Sequence, residues 1–179
     1  MDAAERIFLD KGVAATSVDE IVVAADVAKG TFYIHFESKE RLLLSLQERF
    51  IATFASDLRT EMSRRRADDW TGRLRAWVET SIDVYLDRSA LHDVVFHQFR
   101  SDQHRGKHDS PIVEGLADLL AEGTRAGAWS VPTPRLTAIM LFHALHGALH
   151  EGIDVTKDVN RTRLSRELGA FFRRAVALV

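Results

Sequence analysis

The chain has no cysteine. That excludes disulfides, thiolate metal sites and a cysteine nucleophile, and makes a cytoplasmic protein the expectation. Proline is scarce: Pro111, Pro132 and Pro134 are all there is, so none interrupts the first 110 residues. No run of about 18 apolar residues occurs, so no membrane span is expected, and the N-terminus lacks the apolar core of a signal peptide. There is no phosphate-binding glycine loop, nucleophile elbow or metalloprotease helix motif. Glu151 beside His150 is not a pair aimed at one point, so the chain is not read as an enzyme. An excess of positive charge is missing too. The formal net charge is −2, and residues 1–45 set five basic side chains against eight acidic ones, a net of −3. Overall charge therefore does not announce a nucleic-acid binder, and any such contact must come from local placement.

What the sequence does have is helical periodicity. Ala4, Ile7, Phe8 and Lys11 form a first amphipathic turn pattern that Gly12 stops. Ser17 and Glu20 make a capping box, followed by the apolar stripe Val18, Ile21, Val22 and Ala25. Asp26-Val27 forms a turn, a short helix follows over about 28–35, and Ser38 caps a long helix whose stripe runs Leu42, Leu46, Phe50, Phe54, Leu58, Met62. Arg64-Arg65-Arg66 suits the solvated C-terminus of that helix. Five more helices are expected at about 69–88, 90–100, 111–127, 133–152 and 160–178, with breaks at Ser101–Ser110, at Gly127–Pro134 and at Asp154–Asn160. The fold class is all-α, about nine helices in total. A small N-terminal domain of three helices is placed at 1–45 and a larger helical domain at 46–179, with the long helix crossing the boundary.

The densest chemistry lies in Ala24–Leu43, AADVAKGTFYIHFESKERLL. Two short helices joined by a tight turn, the second carrying Lys29, Thr31, Tyr33 and His35, form a helix-turn-helix. Lys29 stands where recognition-helix residues reach base edges, and lysine donates to guanine O6 and N7 or to phosphate. Gly30 lets the helix approach the groove, since glycine otherwise costs about 1 kcal/mol in a helix. Thr31 suits a thymine methyl or a phosphate. Phe32 and Phe36 read as core. Lys39 lies in the first turn after Ser38, where its charge opposes the helix dipole, so a phosphate partner is the better reason for it.

From Ser17 the chain reads S-V-D-E-I-V-V-A-A-D-V-A-K-G-T-F-Y-I-H-F-E-S-K-E-R-L. This resembles the DNA-binding segment of the TetR family of one-component transcriptional regulators, T-x-x-x-I-A-x-x-A-G-V-S-x-G-T-x-Y-x-H-F-x-S-K-E-x-L. The likeness covers residues 4–46; beyond it only length and helix number are comparable. It implies DNA contacts by Ser17, Ala28, Lys29, Gly30, Thr31, Tyr33, His35 and Lys39, with Tyr33 and His35 on phosphates and Ser17, or Thr16, sharing capping with a phosphate contact. Three departures stand out. Asp26 replaces the usual glycine at a position expected to need φ > 0. Ala28 replaces a hydroxyl residue, so the short helix loses a cap. The first helix begins almost at residue 1, so the basic arm of many relatives is either missing or not included in this sequence, and a lower DNA affinity is expected for it.

The resemblance further implies a C-terminal domain that dimerises and holds a small molecule. The helix at 133–152 is apolar nearly all round, with Ile139, Phe142, His146 and Ile153 on one side and Leu141, Leu145 and Ala148 opposite. The last helix repeats Leu164, Leu168, Phe171, Ala175 and Leu178. A homodimer through these two helices is expected. Trp77, Tyr85, Phe96, Phe99 and Phe142 supply apolar surface for a pocket, with His146 as a polar handle, so the effector is expected to be apolar or aromatic. His143, His146 and His150 span about 60° of one helix face. They read as packing histidines before ligand or metal contacts, and His92, His97, His104 and His108 as a loose cluster; no metal and no cofactor are expected. The functional expectation is a ligand-responsive repressor binding an inverted-repeat operator in double-stranded DNA as a homodimer. The alternative is a helical ligand- or partner-binding dimer with weak or lost DNA binding.

Overall fold

The computed structural model describes residues 1–96, 110–156 and 160–177, with the backbone alone at 152–156. Nine helices and no strand are found among the described residues. They are α1 (Asp2–Lys11), α2 (Val18–Ala24), α3 (Lys29–His35), α4 (Lys39–Ser63), α5 (Trp70–Asp87), α6 (Ser89–Phe96), α7 (Pro111–Arg125), α8 (Pro134–Thr156) and α9 (Arg161–Val176). The chain divides into two compact units, Met1–Ala52 with Arg88–Gly106 and Thr53–Asp87 with Lys107–Val179.

The first unit is set by its helix ends. Gly12 takes φ 81° and returns its N–H to the Phe8 carbonyl, closing α1. Ser17 and Glu20 cap α2 reciprocally. The end of α2 is a Schellman turn: Asp26 N–H donates to Val23 O at 3.2 Å and Val27 N–H to Val22 O at 3.0 Å. Asp26 holds φ 53°, as its place in the motif requires, and is the one non-glycine residue at positive φ among those described. Phe8, Ile21, Val22, Phe32, Leu42, Leu43, Leu46 and Phe50 are buried. Ser38 caps α4, accepting from Arg41 N–H at 3.3 Å.

In the second unit α5 is central, burying Leu74, Ala76, Trp77, Val78, Ile82, Val84 and Tyr85 and packing against α7, α8 and α9. Asp69 caps it through Gly72 N–H at 2.8 Å. The α7–α8 connection folds back on α7. Trp129 is buried there and its Nε1–H donates to Leu120 O at 2.8 Å. A Cβ on Gly123 would lie 2.2 Å from the Trp129 ring, so this close approach requires glycine.

The structure departs from the sequence reading in two helices. Helix α8 runs to Thr156, past the break placed at Asp154. The buried row of α9 is Leu168, Phe172 and Val176, whereas Phe171 and Ala175 are exposed. Rows i, i+4 starting one residue apart are neighbours on a helix, and the sequence does not tell which row faces inward. In α8, Ala138, Leu141, Leu145 and Leu149 are buried, Phe142 and His146 half-buried and Ala148 exposed. His97, Phe99, Ser101 to Asp109, Leu178 and the side chain of Ile153 lie outside the described residues.

Candidate nucleic-acid interface

Helix α3 is held by one face. Phe32 is buried, with its ring 5.3 Å from Tyr33 and 5.7 Å from Phe36. With about 100° per residue, an inward Phe32 turns the rest of the helix outward. Lys29, Gly30, Tyr33, Ile34 and His35 are exposed and Thr31 half-buried. The Ile34 side chain is 80% exposed and Val27, in the turn, 42%. These two were not singled out from sequence, although the inward position of Phe32 places Ile34 about 200° around the helix from it. An apolar side chain on such a face is suited to a thymine methyl. A Cβ built on Gly30 meets nothing within 4 Å, so no neighbour within the protein accounts for this glycine. Ala28 stands at the N-cap with no side-chain hydrogen bond, as its missing hydroxyl implies.

The two lysines are not free cations. Lys29 Nζ lies 2.6 Å from Asp19 Oδ1 of α2, both side chains being more than half exposed. The Asp19 carboxylate holds the Lys29 ammonium above the ordinary lysine range. Lys39 Nζ donates to the carbonyls of Val13 and Thr16, each at 2.7 Å. The expectation that Lys39 lacks a structural reason is thus corrected: its ammonium ties together two carbonyls of the connection between α1 and α2, and one of its three donors is left over.

Ser17 is first of all a cap. Its hydroxyl donates to Glu20 Oε2 at 2.8 Å and accepts from Glu20 N–H at 3.3 Å. Thr16 is buried, its hydroxyl donated to Gly12 O at 2.7 Å, which removes it as a surface contact. Hydrogen bonds from Lys11 and from the Ser17 backbone and hydroxyl hold the Glu20 carboxyl down at about 2. A depressed carboxyl stabilises the fold above its unfolded value near 4.5 and loses that contribution as pH falls towards 2. Thermal midpoints measured from pH 5 to 2 should fall less steeply for Glu20→Gln than for the unsubstituted chain. Ser17→Ala should cost about 0.5–2 kcal/mol at neutral pH.

The residues expected to line an effector pocket divide between the units. Phe96 belongs to the first, its ring 5.8 Å from Phe50 and 4.8 Å from His92. In the second, Trp77 is fully buried, its ring tilted against Phe172 at 5.9 Å. Its Nε1–H has no hydrogen-bond partner among the described residues. Tyr85, Phe142 and His146 form a separate group: the Tyr85 and His146 rings are 5.5 Å apart, those of Phe142 and His146 6.1 Å. Tyr85 Oη is 3.4 Å from His150 Nδ1. No group of three histidine or acidic side chains poised for a metal occurs among the described residues. No helix among them is long and apolar enough to cross a membrane.

Comparison with known proteins bears on both units. The family described as bacterial regulatory proteins, tetR family, matches residues 1–46, and the tetracyclin repressor-like C-terminal domain matches residues 69–174. An uncharacterized HTH-type transcriptional regulator of Bacillus subtilis, YerO, is 52% identical over 46 residues, 26% of this chain and 16% of YerO. The HTH-type transcriptional activator FasR of Mycolicibacterium smegmatis is 35% identical over 94 residues, 52% of this chain and 42% of FasR. The matched stretches thus cover less than half the length of either relative. Among solved structures, the transcriptional regulator FadR of Bacillus subtilis in complex with stearoyl-CoA superimposes with a TM-score of 0.80 at 19% identity, covering 98% of this chain and 96% of that one. At that identity the likeness concerns the fold.

Proposed function

We propose, from the premise that this chain belongs to the tetR family of bacterial regulatory proteins, that it is a cytoplasmic transcriptional regulator binding double-stranded DNA through α3. The observation that carries the reading is the outward face of that helix: Lys29, Tyr33, Ile34 and His35 exposed around a glycine with open space before it. Residues 1–45 act as the DNA-binding domain and 46–179 as the effector and dimerisation domain. Lys29, Gly30, Thr31 and Ile34 meet base edges. Tyr33, His35, the remaining donor of Lys39 and the α2 start at Ser17 meet phosphates, and Ala28 lets the backbone come close.

Dimerisation through α8 and α9 is supported by large apolar side chains left in solvent there, Leu136, Met140 and Phe171. A two-fold dimer presents its recognition helices about 34–36 Å apart or more, which calls for an inverted-repeat operator. Repression is the proposed direction, in keeping with the tetracyclin repressor-like C-terminal match. Tyr85, Phe142 and His146 favour an apolar or aromatic effector, and the stearoyl-CoA named for FadR carries such an apolar chain. Such an effector acts by its differential affinity for two states of the protein.

One observation favours the alternative of a dimer without strong DNA binding: both interface lysines already have internal partners. Tyr33→Phe distinguishes the readings. It removes one hydroxyl and no charge, so all duplexes should bind about tenfold more weakly with an unchanged salt slope. Fluorescence anisotropy against duplexes of differing sequence measures it, and wild-type affinity in Tyr33→Phe for every duplex would remove α3 from the interface.

A further inference from the structure

The Asp19–Lys29 pair adds little to the fold, because both side chains are largely in solvent. Its consequence is for what Lys29 can bind. An ammonium has three N–H donors and one charge. Asp19 takes one donor and offsets the charge, leaving two donors. A phosphate brought to the same ammonium would lie beside the Asp19 carboxylate, two anions on one cation. Guanine O6 and N7 are neutral acceptors and meet no such repulsion. The neighbouring acid on α2, Glu20, is occupied by Lys11 and Ser17, so Asp19 is the one of the two whose ion pair reaches α3.

We propose that Asp19 is a specificity-determining residue: paired with it, Lys29 reads a base edge and is withheld from the phosphate backbone. The proposal rests on the DNA-binding reading above and adds to it a division of labour between neutral and anionic acceptors. Without the carboxylate, Lys29 becomes an ordinary cation that any phosphate satisfies, and discrimination gives way to sequence-independent affinity.

The test combines Asp19→Asn and Lys29→Ala, singly and together, in the full chain. The probes are a duplex selected from a random pool by the wild-type protein, the same duplex with each G·C pair replaced in turn, and an unrelated duplex. Circular dichroism checks that each variant is folded. Lys29→Ala should lose the preference at one G·C pair with no change in salt slope. Asp19→Asn should bind the unrelated duplex about threefold tighter with a slope steeper by about one. In the Asp19→Asn background, Lys29→Ala should return the slope to its wild-type value. Asp19→Glu, which keeps the carboxylate, should behave as wild type.

A slope made shallower by about one in Lys29→Ala alone, with base preference intact, would show a phosphate contact and overturn the proposal. So would an Asp19→Asn protein matching wild type in slope and preference, or an Asp19→Glu protein matching Asp19→Asn; in these cases the DNA-binding reading stands. A wild-type protein that selects no duplex overturns that reading and this inference with it.

Discussion

Gly30→Leu should abolish operator binding while leaving the protein at least as stable as wild type. Glycine is the costliest ordinary residue inside a helix, by about 0.5–1 kcal/mol relative to alanine. Gly30 pays that cost in the first turn of α3, where its φ is not positive and where a Cβ would meet nothing within 4 Å. No demand internal to the protein explains it. A helix entering a groove has such a demand, because a side chain at this position stands between the backbone and the base edges. Leucine should therefore raise the midpoint of thermal unfolding slightly and weaken binding by about 3 kcal/mol or more, a factor of ~100. Unfolding and duplex anisotropy on the same sample separate the two effects. Loss of binding accompanied by loss of folding would show that Gly30 serves the fold instead.

Trp77→Ala should be the most damaging single truncation in the second unit. The side chain is fully buried and packs on Phe172 of α9. Emptying a site of that size costs about 3–5 kcal/mol, which for a chain of this length lowers the thermal midpoint by about 10 °C. Trp77→Phe should cost much less. The indole N–H has no partner among the described residues, so removing it forfeits no hydrogen bond and relieves the burial of an unsatisfied donor. Denaturant midpoints of the two variants check the order. A phenylalanine variant as unstable as the alanine one would mean that the N–H has an acceptor after all, such as a buried water.

The helices were readable in the sequence wherever a terminus has a chemical marker. The Ser17–Glu20 box, the stop at Gly12, the turn at Asp26 and the Ser38 cap all lie where the residues place them. The orientation of α3 follows from Phe32, which is buried, while Phe36, also read as core, is half-buried and packs on the Phe32 ring. Long-range partners were not readable. Nothing near Lys39 in the sequence points to carbonyls 23 and 26 residues away, nor does Lys29 announce a carboxylate on the preceding helix. In α9, Phe171 and Phe172 offer equally apolar rows one residue apart, and the sequence alone does not tell which faces inward. Of the aromatic residues expected to line a pocket, Trp77 packs on Phe172 of α9, Phe96 packs on Phe50 and His92 in the first unit, and Tyr85, Phe142 and His146 come together in the second, among the described residues. Aromatic content identifies core in a helical bundle but does not assign it to a cavity.

The central claim, that α3 of a dimer reads DNA, is tested most directly by selecting duplexes from a random pool with the purified protein and titrating the winner with salt. The account predicts enrichment of an inverted repeat, bound by two chains, with an affinity that falls steeply as salt rises. A folded, dimeric protein that enriches no sequence and binds duplex DNA with little salt dependence would contradict it.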